Sequence, residues 1–223
     1  MHGQAYDDTQ DGRWDGRAGG AALFAGTAML LTTMAFHPTG HAILRDASGT
    51  AARLSAGVHA LALAAVPLLL LGGVALTRRL RGALAELALC CHAVGLLAGM
   101  IAGMASGFLS TSQLARAQAE TGAAREATLL LVRYSGLLNQ ASARVLVGMG
   151  SAAILCWSAS ALRSRRLPAG AAWTGIAVGA TTLLVLLAGR LSLGVHGYGA
   201  VVLGQAVWFV LAGRALRRPA GAP

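Results

Sequence analysis

The sequence predicts an all-α integral membrane protein, a bundle of six transmembrane helices, and three observations carry that prediction. Hydrophobic residues make up 56% of the 223 residues and charged residues only 12%. Mean hydropathy is +0.62, which places the chain among those that use lipid as solvent. Apolar runs recur along the whole length, each near the ~20 residues that cross a hydrocarbon core about 30 Å thick. The runs are continuous and lack the alternation of a membrane barrel, so helices, whose backbone hydrogen bonds are all internal, are the expected spanning structure.

Taken in order, residues 1–18 form a polar tail carrying Asp7, Asp8, Asp11 and Asp15, and 19–36 form the first span. No small-residue cleavage site follows that run, so it reads as an uncleaved span. The second and third spans are expected at 54–76 and 83–109. Residues 110–142 mix charge with the leucines of 129–132 and predict an amphipathic helix on the outer surface, with Arg116, Glu120, Arg125 and Glu126 exposed. The alternative is a helix unbroken from about residue 127 into the fourth span, which puts Arg133, Gln140 and Arg144 on one stripe. The last three spans fall at 143–162, 171–189 and 195–213, and 214–223 is a basic tail. The transmembrane domain is therefore 19–213, with no room for a second domain.

Arginine placement sets the orientation. Arg78, Arg79 and Arg81 follow the second span, Arg163, Arg165 and Arg166 the fourth, and Arg214, Arg217 and Arg218 the sixth. With six spans these share one side, which the positive-inside rule makes cytoplasmic, so both termini are inside. Trp14, Trp157, Trp173 and Trp208 fall at that side and read as an interfacial belt. All 18 basic residues are arginine, a coding bias that points to a GC-rich bacterial genome and so to the inner (plasma) membrane, crossed several times. The net charge of +10 sits in short clusters beside apolar segments, which argues against nucleic acid. Cys90, Cys91 and Cys156 all lie within apolar runs, so no disulfide framework is expected.

Two patterns stand out. Gly95, Gly99, Gly103 and Gly107 repeat every four positions on the third span, a glycine zipper that lets another helix approach closely. That helix belongs either to the same bundle, to a second copy in a homodimer or to another membrane protein. His37, His41, His59 and His196 all map near the outer ends of their spans. Imidazoles there are candidate ligands for copper, zinc or haem, and Met34, Met100, Met104 and Met149, in the outer halves of their spans, add thioethers suited to Cu(I). His92 does not pair with His59 across one iron, because helical rise separates their depths by about 15 Å.

No catalytic signature is present. Ser106 stands in Met104-Ala105-Ser106-Gly107, which departs from a Gly-x-Ser-Gly nucleophile motif. The leading expectation is a non-enzymatic accessory or scaffold component of the bilayer. Metal or haem binding at the outer histidines is the second reading, and a small-solute transporter or channel using Asn139, Gln140 and Arg144 is the third.

The orientation has a direct check. In a variant lacking Cys90, Cys91 and Cys156, a cysteine introduced at Thr39 or Thr121 should react with an impermeant maleimide in intact cells, and one at Gly82 should not. Labelling of Gly82 would reverse the topology.

Overall fold

The structure, a computed structural model, describes residues 8–38 and 49–218, with side chains from Gly16 onward. Those residues form α1 (Asp8–Ala35), α2 (Thr50–Leu80), α3 (Ala83–Met104), a π-helical turn (Ala105–Leu109), α4 (Ser110–Ala119), α5 (Gly122–Ser164), α6 (Ala169–Leu187) and α7 (Val195–Arg217), and no strand. Six rods are long and apolar enough to cross a membrane, since α3, the π turn and α4 run on as one rod. The chain is a polytopic helical membrane protein. Because α1 begins at Asp8, helix reaches into the predicted polar tail. At the other end α7 runs on to Arg217, since no proline lies between its start at Val195 and Pro219, and arginines in the last turn suit the negative end of the helix dipole.

Residues 110–142 are divided between the extended third rod, whose last part is Ser110–Ala119, and α5, a single helix of 43 residues. The alternative reading of an unbroken helix describes this segment, with the helix starting earlier, at Gly122. No proline or glycine pair interrupts the run, so α5 continues to about 65 Å at helical rise, roughly twice the hydrocarbon thickness. α4 packs on its first half to form a helical hairpin. Arg116, Arg125 and Glu126 are exposed, while Glu120 is half-buried at the tip. There Glu120 accepts hydrogen bonds of 2.6 Å from both Arg116 Nε and Thr128 Oγ1. The Thr128 bond, and then Arg116, hold its carboxyl below the ordinary carboxylate value.

The π turn is satisfied by its own neighbours. The Ser110 N–H reaches back to the Ala105 carbonyl across five residues. The hydroxyls of Ser110, Thr111 and Ser112 donate to the carbonyls of Ala105, Gly107 and Leu109 at 2.8, 2.9 and 3.0 Å. Three consecutive short hydroxyl side chains thus add bonds to the backbone carbonyls where the helix is distorted.

The rods pack in a ring, each chiefly against two neighbours, in the order α1, α2, α3, α5, α6, α7 and back to α1. One end of the ring carries Arg78, Arg79, Arg163, Arg166, Arg214 and Arg217, and is called the arginine end. The other end carries the hairpin. At the arginine end Arg166 Nη1 donates to the Arg79 carbonyl at 3.1 Å, tying the α5–α6 connection to the end of α2. α1 makes close helix contacts on both sides, and α6 makes another at Gly175, where a Cβ would overlap the Ser158 Oγ of α5. A Cβ added at Gly19 would overlap the Ala75 Cβ of α2, one at Gly20 would come 2.6 Å from the Gly213 carbonyl of α7, and one at Gly26 would come 2.9 Å from Leu69. The row on the third rod is looser: a Cβ at Gly95 would meet Gly150 N at 3.3 Å, one at Gly99 Leu146 at 3.2 Å and one at Gly103 Leu63 at 3.6 Å. Only Gly107 lies hard against a neighbour, the His59 side chain.

These distances order the expected stabilities. Gly19→Ala should cost about 1–3 kcal/mol of unfolding free energy, since two Cβ atoms are forced into one place. Gly103→Ala should be neutral or stabilising by up to about 1 kcal/mol, because its Cβ has room and alanine favours helix. Denaturation in detergent separates the two, and equal costs would contradict the packing described. For Glu120, the lowered folded-state value means that its stabilisation is present at neutral pH. It is lost as pH falls below about 4.5 and through the folded-state value. Amide exchange at 118–130 should therefore rise on acidification, and Thr128→Val should remove most of that pH dependence.

Candidate functional site

Six helices in a ring leave a central space, and its two halves are filled differently. Toward the arginine end it is closed by aromatic side chains. Trp157 and Trp208, both fully buried, stack with centroids 5.9 Å apart and planes 12° from parallel. His92 meets Trp157 edge-on at 5.1 Å and Phe209 at 5.9 Å. Trp157 Nε1 donates to Thr77 Oγ1 at 3.0 Å, and that hydroxyl donates to the Ala85 carbonyl at 3.3 Å. The expectation of a tryptophan belt is corrected for these two residues, which are core. Their position in the arginine half is compatible with either role, and only burial separates the two. Trp173, by contrast, is 62% exposed.

Toward the hairpin end the centre is hollow. A cavity of about 390 Å³ is lined by His37, His59, Ser106, Asn139, Gln140 and Tyr198 among apolar side chains, with Leu193, Gly194 and Val195 at its rim. A second cavity of about 90 Å³ shares Leu30, Ala62, Gly99, Gly103, Leu146, Tyr198 and Val202 with it and continues inward to Gln205, His92 and Phe209. Together they form a recess that ends on the aromatic cluster. Neither is lined by a carboxylate or a guanidinium group. Small residues on α2 and the third rod, Ala62, Gly99, Ala102 and Gly103, make the space.

The histidines are distributed unevenly around this recess. His59 is 7% exposed, and its Nδ1–H donates to the Ser55 carbonyl at 2.7 Å. His37 stands edge-on to it with centroids 5.0 Å apart, its own Nδ1–H donating to the Pro38 carbonyl at 2.9 Å. His196 is exposed and does not line the recess, whereas Tyr198, two residues on, does. The reason lies in the ring, where α1 stands between α2 and α7. His41 lies outside the described residues. Among the described residues no three His, Cys, Asp or Glu side chains are grouped to hold a metal ion. Of the candidate methionines Met34, Met100, Met104 and Met149, Met34 lines the recess and Met104 is 44% exposed.

Arg133 and Arg144 are exposed, while Gln140, on the same helix, faces the recess. Leu186 at the end of α6 packs on Gly148, so Arg144 stands one turn beyond the level where the shortest span ends. Tyr198 and Gln205 carry no charge and match no motif, and only the ring topology brings them to the recess. Comparison with protein-family models, with curated proteins and with solved structures finds no match.

Proposed function

We propose that the chain binds a small uncharged molecule, largely apolar with a few hydrogen-bonding groups, inside its helical ring, as a solute carrier whose recess is entered from the hairpin end. The single observation that supports this is the recess itself. It has the size of a small-molecule site, mostly apolar walls and a handful of uncharged polar groups. Ser106, Asn139, Gln140 and Tyr198 make no side-chain hydrogen bond among the described residues, so their polar groups are available to an occupant. The absence of charged lining disfavours an ion, since a charge moved into such a place needs a counter-charge or water. The aromatic cluster closes the path at the arginine end, so passage requires Trp157 and Trp208 to part. We take the arginine end as cytoplasmic and the membrane as a bacterial inner membrane, on the arginine distribution.

A scaffold role is the second reading, and a specific surface favours it. Leu130, Leu131, Tyr134 and Leu137 are each more than half exposed on the part of α5 that extends beyond the shorter spans. A partner helix laid along them would bury that stripe.

The carrier reading is tested with 4-propylanisole, an uncharged probe with an apolar body, added to protein in lipid nanodiscs. Near saturation it should raise Tm by about 5 °C or more. The rise should be absent in Ala62→Trp, where an indole is placed between the two cavities. A shift of equal size in both proteins would mean that the probe acts through the bilayer, and the reading would fail.

A further inference from the structure

We infer that the inner end of the recess is a receptor for a hydrogen-bond donor, so that the occupant is a neutral hydroxyl- or N–H-bearing amphiphile that enters donor first, toward His92. This rests on the recess being a binding site. His92 is 4% exposed, and its Nε2 lies 3.2 Å from the Leu69 carbonyl. A carbonyl only accepts, so Nε2 carries the ring proton, and in the neutral imidazole Nδ1 is then a bare lone pair. No hydrogen bond engages Nδ1 among the described residues, and the ring lines the inner cavity. Gln205 repeats the pattern. Its Nε2 donates to Ser151 Oγ at 3.4 Å, which leaves the amide oxygen as the free group in the same cavity.

The inner end therefore presents acceptors whose polarity is set by bonds to other parts of the protein. Donors are found farther out, in the amides of Asn139 and Gln140. Tyr198, which lines both cavities, works in either sense. An acceptor without a partner at the end of a mostly apolar recess gains from a ligand O–H or N–H. An ammonium group would also donate, but no carboxylate lines either cavity to balance its charge. Leu30, Leu63, Leu146 and Val202 then receive the apolar body.

The test compares 4-propylphenol with 4-propylanisole, which share the apolar body and differ in the O–H donor, by titration calorimetry in nanodiscs. The phenol should bind at least about ten-fold more tightly, the equivalent of about 1.4 kcal/mol. In His92→Phe that preference should vanish, and in His196→Phe, outside the recess, it should persist. A preference that survives in His92→Phe would overturn the assignment to His92. A second readout needs no variant: the ¹⁵N resonance of His92 Nδ1 should move upfield with the phenol and stay in place with the anisole. Equal affinity of the two probes in the unmodified protein would overturn the donor class while leaving the recess as a binding site. Binding of neither would overturn both.

Discussion

The ring depends on how closely α1 lies against its two neighbours. Between helices in lipid there is no hydrophobic gain from leaving the solvent, so association rests on dispersion and close backbone approach. α1 must lie against α2 on one side and α7 on the other, which joins the first helix of the chain to the last. Gly16, Gly19, Gly20 and Gly26 permit it by having no side chain where Leu216, Ala75, Gly213 and Leu69 stand. Side chains at those places would hold α1 away and leave the ring an open arc. The recess on the inner face would then be in contact with lipid.

A closed ring creates a second problem, because six helices surround more space than small side chains can fill. The chain fills it at one end only. Trp157, Trp208, His92 and Phe209 occupy the arginine half, and the Trp157–Thr77–Ala85 hydrogen bonds tie α5 to α2 and α2 to α3. Polar atoms inside this cluster are costly in lipid unless bonded, and those of Trp157 and Thr77 use one another. In the hairpin half the corresponding positions are glycine and alanine, and the centre stays empty. The asymmetry between the two halves, not any single residue, makes the molecule a candidate container.

The fold was legible in the sequence because a helical span is a local property. Length and apolarity suffice to find six of them, and they fail only where a helix runs on past the ~20 residues that cross a hydrocarbon core. Residues 110–142 were ambiguous for that reason. Their charges and their leucines point to different surroundings, and one helix of 43 residues is long enough to carry both. The site was less legible, since it depends on which helices are neighbours. The depth argument that separates His59 from His92 holds: His92 bonds to Leu69, ten residues along α2 from His59, about 15 Å by helical rise. Depth alone says nothing of azimuth, however. His59 and His196 lie at similar depth, yet α1 stands between their helices and His196 faces outward. For the same reason Tyr198 and Gln205 were passed over. The periodic row of the third rod drew the eye, while the irregular spacing of Gly16, Gly19, Gly20 and Gly26 conceals two separate contact faces on one helix.

One local distortion connects the hairpin to the recess. The π turn of 105–109 holds one more residue than an α-helical turn would, so everything beyond it is rotated relative to α3. Within the turn, Ser106 lines the recess and Gly107 lies against His59. On the far side, Gln113 accepts a 3.0 Å hydrogen bond from Ser135, and the rod ends at the Glu120–Thr128 contact. Without the extra residue, a regular helix that kept Gly107 on His59 would turn Gln113 away from α5, and one that kept Gln113 on Ser135 would drive a side chain into the His59 ring. The three hydroxyls at 110–112 add side-chain hydrogen bonds to carbonyls in and beside the turn, and one continuous rod holds the mouth of the recess on one face and the hairpin on another.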